Sequence, residues 1–167
     1  MKIQKTIKIN ASAEKVWEVL WGDYGQVCKW ASTVNSSDYR EVQGSNNGGR
    51  ACMSTWGEIH EIVENLDIEN KTYTYYADGL PAIMKSAKNT WKVLQKGVNT
   101  SEVSIDLDIE FATIPKIFMG WMIVPKMKKD VNQTLADLKY FIETGKLTEA
   151  KIKSDQKYFK KKGQKAA

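Results

Sequence analysis

The 167 residues suit one domain able to bury its own core, with 42% hydrophobic and 27% charged positions. The net charge of +5 is lopsided, because residues 146–167 carry eight lysines against Glu149 and Asp155, which leaves the first 145 residues at −1. The body therefore presents no basic nucleic-acid face. Two cysteines without a CxxC make neither a disulfide framework nor a zinc site, and the longest apolar run, 117–125, is too short to span a bilayer.

Ile3, Ile7 and Ile9 alternate with polar residues and predict a first strand. The opening MKIQKTIKINAS has no continuous apolar stretch and so does not read as a signal peptide, and with Cys28 and Cys52 isolated the expected compartment is a reducing cytoplasm. Ser12 is placed to cap a helix over 13–21 that carries Val16, Trp17, Leu20 and Trp21 at helical spacing. A short helix, 24–30, follows and ends at Trp30. Six strands come next, over 36–42, 50–56, 58–66, 71–78, 86–95 and 101–111, with turns at 45–49 and 96–99. The last strand shows the clearest pattern: Val103, Ile105, Leu107, Ile109 and Phe111 on one face, Ser104, Asp106, Asp108 and Glu110 on the other. A helical segment is expected over 116–124, a break at Pro125, and a main helix over 126–144. That helix has a stripe of Met127, Val131, Leu135, Leu138 and Ile142, with Gly145 as its stop. Residues 146–167 read as a flexible or weakly helical tail outside the 1–145 domain.

This order, β-α-α-β6-α, predicts an α+β domain in which about seven antiparallel strands form a curved sheet around the long C-terminal helix. A gap between such a sheet and its helix is a natural apolar pocket. The segment INASAEKVWEVLWGDYGQVCKWASTV (9–34) resembles the opening of the SRPBCC, START-like or helix-grip superfamily, in its polyketide cyclase/dehydrase and lipid-transport branch. The matching features are Ile9, the cap Ser12, the Val16-Trp17 pair and Trp30; GEIHEIVENLD (57–67), Asn89-Thr90-Trp91 and TLADLKYFIE (134–143) add to them. The resemblance covers about 1–145 and implies a cavity for lipids, steroids, polyketides or hormones.

Strand parity nominates the lining. Leu107 and Phe111 share the dry face of the last strand, and Trp91 points inward on 86–95. Tyr73 and Tyr75 are the inward choice on 71–78, with Tyr76 opposite, and Met53 joins them from 50–56. On 58–66 the odd residues Ile59, Glu61 and Val63 are the more apolar set, so Glu61 is carried to the dry side. There it needs a partner: a ligand, a tyrosine or Arg50. Trp30 is expected at the cavity mouth, and Phe118, Met119 and Met122 as a lid or wall.

Catalytic motifs are scarce. His60 is the sole histidine, which excludes HExxH zinc chemistry, and no metal or cofactor is expected. Ser12-Ala13-Glu14-Lys15 matches S-x-x-K without its companion motifs, and Gly44–Gly49 lacks a phosphate-loop lysine. Three functional readings follow. The first is a carrier or sensor that binds a hydrophobic small molecule, as monomer or homodimer and without a nucleic-acid partner. The second is a cyclase/dehydratase-like enzyme with Glu61 as acid or base and Tyr73 or Tyr75 as proton donor. The third is contact of the basic tail, Lys157-Tyr158-Phe159-Lys160-Lys161-Lys162, with an acidic membrane or nucleic acid.

Overall fold

Alternating side chains build one sheet, and the two ends of the chain supply the helices that cover it. The computed structural model describes residues 1–112 and 122–165. Strand β1 (Lys2–Ile9) leads into α1 (Ala13–Trp17), a π-helical turn (Glu18–Gly22) and a 3-10 helix (Tyr24–Lys29). Six strands follow: β2 (Val34–Arg40), β3 (Gly49–Ser54), β4 (Gly57–Asp67), β5 (Thr72–Asp78), β6 (Met84–Gly97) and β7 (Thr100–Phe111). The chain ends in α2 (Val124–Thr144) and α3 (Glu149–Lys165).

All pairings are antiparallel, in the order β1-β7-β6-β5-β4-β3-β2. Consecutive strands are neighbours except β1 and β2, which form the two edges. The segment between them must therefore cross the sheet, and α1 with its two short successors closes one end of the concave face. This is the expected α+β helix-grip architecture, a curved seven-stranded sheet with a C-terminal helix.

Local chemistry sets the boundaries. The Ser12 hydroxyl accepts from the Lys15 N–H at 3.3 Å and caps α1. The regular α-helix is shorter than expected, because the chain widens into the π turn after Trp17. Pro125 sits in the first turn of α2, where no intrahelical N–H is required, so it opens the helix. Of the segment expected over 116–124, residues 116–121 lie outside the described residues. Met127, Val131, Leu135, Leu138 and Ile142 are all buried, as their spacing demands. Gly145 ends α2 in the left-handed region, φ 70°, with its N–H on the Phe141 carbonyl at 2.8 Å.

A bulge between Val63 and Asn65 shifts the register of β4 against β5. Glu61 and Val63 are buried before it, while Asn65 is exposed and Leu66 half-buried after it. Gly49 lets two strands approach: a Cβ there would stand 2.3 Å from the Glu61 carbonyl oxygen.

The segment expected as a flexible or weakly helical tail is a helix from Glu149 to Lys165, tied to the sheet at its start. Lys151 is 1% exposed, and its ammonium donates to the Val34 carbonyl at 2.9 Å and to Asp155 at 2.7 Å. The Asn35 amide donates to Ser154 Oγ at 2.9 Å and Asp155 at 3.2 Å. Asp137, buried on α2, accepts from the Ser32 N–H, the Gln133 amide and the Thr148 hydroxyl. A buried carboxylate with three donors is a satisfied one.

Candidate ligand-binding site

A cavity of about 170 Å³ lies between the sheet and the N-terminal half of α2. Most of its wall is apolar: Ile59 from β4, Leu80 before β6, Met84 from β6, Ile105 from β7, and Met127 and Val131 from α2. Each strand residue is there by parity, on the face that turns toward α2.

Two buried polar pairs interrupt this wall. Arg50 on β3 and Glu61 on β4 line the cavity and are each 5% exposed. Arg50 Nε donates to Glu61 Oε2 at 2.6 Å, Nη2 lies 2.5 Å from the same oxygen, and Nη1 donates to the Tyr24 carbonyl at 2.8 Å. The guanidinium also lies over the Tyr24 ring, 4.2 Å from its centroid. Burial disfavours the arginine charge, but the Glu61 carboxylate opposes it, and the Arg50 pKa stands well above its usual value. The second pair is Tyr75 on β5 and Asn89 on β6, where the Asn89 amide donates to the Tyr75 hydroxyl at 3.0 Å. Burial, reinforced by the Glu61 charge, raises the Tyr75 pKa, so this phenol keeps its proton. Among the described residues the Asn89 carbonyl oxygen has no hydrogen-bond partner, although Asn89 lines the cavity and is more than nine-tenths buried.

The rim is fastened by one carboxylate. Asp130 Oδ2 on α2 accepts from Lys126 at 2.7 Å, from the Trp56 indole at 3.0 Å and from the Thr55 hydroxyl at 3.1 Å. Lys126 also sits 3.7 Å from the centre of the Trp56 ring. The β3–β4 turn, which carries Thr55 and Trp56, is thereby pinned to the helix across the cavity edge.

Of the residues that parity nominated, Glu61, Tyr75, Trp91 and Leu107 come together on the cavity wall. Tyr73 does not: it is 1% exposed and packed among Trp17, Trp21, Tyr24, Tyr75 and Trp91, with its ring stacked on Trp91 at 6.4 Å. The end of the face that Tyr73 occupies is filled by the crossing segment. Trp30 is buried in the core beside the wall residues Val27 and Ala31. Met53 lies on the opposite face of β3 from the lining residues Arg50 and Ser54. Phe111, at the end of β7, is half-buried opposite Met84 but off the cavity wall, and Met122 is 59% exposed and away from it. Phe118 and Met119 lie outside the described residues.

Sequence reasoning passed over Asn89, Tyr24 and the Asp130 cluster as site components. Asn89 was legible, since it is two residues from Trp91 and shares its face. Asp130 was not, because its donors come from a turn some seventy residues away in the chain. His60 is exposed, on the opposite face of β4 from Glu61, and no cluster of three or more His, Cys, Asp or Glu residues suited to a metal occurs among the described residues.

The family model for polyketide cyclase/dehydrase and lipid-transport proteins matches residues 1–143. The chain belongs to that family. Its fold is the helix-grip arrangement that the 9–34 segment led us to expect. The same fold is found in solved structures. An uncharacterised protein from Bacillus thuringiensis is 19% identical with a TM-score of 0.69, over 85% of this chain and 98% of that one. The Zhui aromatase/cyclase from Streptomyces sp. R1128 is 12% identical with a TM-score of 0.66, over 89% and 99%. A START superfamily protein from Mycobacterium smegmatis is 16% identical with a TM-score of 0.61, over 85% and 94%. At such identities these likenesses concern the fold. No curated protein matches the sequence.

Proposed function

We propose that the protein is a carrier or sensor that takes an apolar small molecule, with one polar end, into the cavity between sheet and α2. The observation that carries this reading is the pairing of an apolar wall with a buried polar atom that lacks a protein partner among the described residues, the Asn89 oxygen. A buried polar group without a partner costs about 1–3 kcal/mol, so a ligand that supplies the partner binds by removing that cost. The polyketide cyclase and lipid-transport description of the family and the aromatase/cyclase neighbour favour the same class of ligand, a lipid or aromatic polyketide. Cys28 and Cys52 are free thiols, in keeping with a reducing cytoplasm.

A cyclase-like activity is the second reading, supported by the aromatase/cyclase neighbour and by the presence of Glu61 and the protonated Tyr75 on one wall. The fixed guanidinium of Arg50 weighs against it, because its Nε and Nη2 already occupy one Glu61 oxygen. Native mass spectrometry of the purified protein, followed by denaturing extraction, tests the proposal. A co-purified apolar molecule, released unchanged, is the expected result. A clean apo mass with no thermal shift from fatty acids, sterols or aromatic polyketides overturns it, and conversion of an added poly-β-ketone chain to a cyclised product moves the assignment to the enzyme.

A further inference from the structure

Helix α3 carries more positive charge than its packing uses. Lys151 is spent on anchoring, and Lys153 pairs with Glu149 at 3.0 Å. Lys157, Lys160, Lys161 and Lys162 are exposed, and among the described residues none is within ion-pair distance of a carboxylate. The anchoring side is fixed by Lys151, Ser154 and Asp155, which hold the start of β2. Ile152 and Phe159 lie seven residues, two turns, apart and so share a stripe on another side. They are 44% and 58% exposed. At 3.6 residues per turn Lys153 and Lys160 flank that stripe on one side and Lys162 on the other.

From this arrangement we infer that α3 is a docking helix for an anionic lipid bilayer. Phe159 and Ile152 enter the headgroup boundary, and Lys160 and Lys162, on either side of Phe159, reach acidic headgroups, while Lys157 and Lys161 lie on the far side of the helix and add only to its overall charge. Nucleic acid would engage the lysines but has no use for Ile152, whereas the acyl boundary takes both apolar side chains. The Val34 carbonyl that holds Lys151 belongs to a residue of the cavity wall, so a docked α3 brings that wall to the membrane surface. The inference goes beyond ligand binding in the cavity and stands or falls without it.

The test is sedimentation of the full chain with phosphatidylcholine vesicles, with and without phosphatidylserine. Binding is expected only with phosphatidylserine, and it should weaken as salt is raised. Replacing Lys160 and Lys162 together by Gln should lower the partition about thirtyfold, more than the same change at Lys157 and Lys161. Phe159→Ser should lower it several-fold with no change of charge. These side chains are exposed, so all three variants should keep the parent's melting temperature and circular dichroism, which separates lost docking from lost folding. Equal binding to both vesicle types, no binding to either, or phosphatidylserine binding untouched by the lysine or the Phe159 change overturns the inference. So does single-stranded RNA that displaces the protein from vesicles and binds the Phe159→Ser variant as tightly as the parent.

Discussion

Arg50 and Glu61 stand directly opposite one another on β3 and β4, and a single carboxylate oxygen of Glu61 takes both the Nε and the Nη2 of the guanidinium. Both residues are almost wholly buried. The ion pair is thus a cross-strand pair, set by the β3–β4 register, in the wall of a mostly apolar cavity.

Breaking the pair from one side leaves a buried charge. Glu61→Leu is expected to cost about 3–5 kcal/mol. The double variant Arg50→Met/Glu61→Leu should recover most of that loss, because an apolar pair of similar volume removes both charges together. Urea denaturation of the three proteins decides the matter, and a double variant as unstable as the single one would show that the pair is not the source of the loss.

Asn89 contributes to both stability and binding. Its side-chain oxygen is buried without a partner among the described residues, but its amide donates to the buried Tyr75 hydroxyl, so Asn89→Leu should lower folding stability by about 1–2 kcal/mol and leave the protein folded. The same change should lower affinity for the co-purified ligand about tenfold, the equivalent of about 1.4 kcal/mol. Occupancy measured by native mass spectrometry alongside a thermal melt would expose both effects. Undiminished occupancy would place Asn89 outside the contact.

The rim offers a kinetic readout. Asp130→Ala removes the acceptor shared by Thr55, Trp56 and Lys126, and the expected stability loss is about 1–2 kcal/mol because the cluster is partly exposed. Ligand dissociation should speed up more than association, and hydrogen exchange should rise in the turn over 54–57. If exchange there stays at the parent rate, the carboxylate does not hold the turn.

Much of the fold was legible because period-two alternation specifies strand faces directly. Val103, Ile105 and Ile109 on β7 and the α2 stripe from Met127 to Ile142 were found from spacing alone. The candidate site was legible only where parity was enough. Glu61, Tyr75, Trp91 and Leu107 sit on the wall, whereas Tyr73, equally inward by parity, is covered by Trp17, Trp21 and Tyr24 from the crossing segment. Parity gives a face but not the position along it that a helix will cover. Lys151 shows the opposite limit: nothing in a lysine-rich stretch marks the one lysine whose ammonium ends on a buried carbonyl.

The two thiols should differ in reactivity. Burial, with the Glu61 charge as a second cause, pushes the Cys52 thiol up to about 12, while Cys28 is half-buried. The folded Cys52 value lies above the unfolded value near 9, so the folded state holds this proton more tightly. Its contribution to stability is therefore intact below about pH 9 and is lost as the pH climbs toward 12. Iodoacetamide at about pH 8 should modify Cys28 first and reach Cys52 only after denaturation. Peptide mass spectrometry reads the order, and equal rates in the native protein would refute it. Cys52→Ala should flatten part of the alkaline loss of stability.

Asp137 joins residues that leave the ribosome at very different times. Ser32 is made early, Gln133 belongs to the same helix, and Thr148 comes after the family-matched region has ended. Until Thr148 and Lys151 are in place, the Asp137 carboxylate is one donor short and the Val34 carbonyl lacks its ammonium. The nascent domain can form its sheet and α2 but reaches its full resistance to proteolysis only once Thr148 and Lys151 have been added. A chain stopped at Glu143 would have all the strands and the cavity, yet a shorter lifetime in the cell.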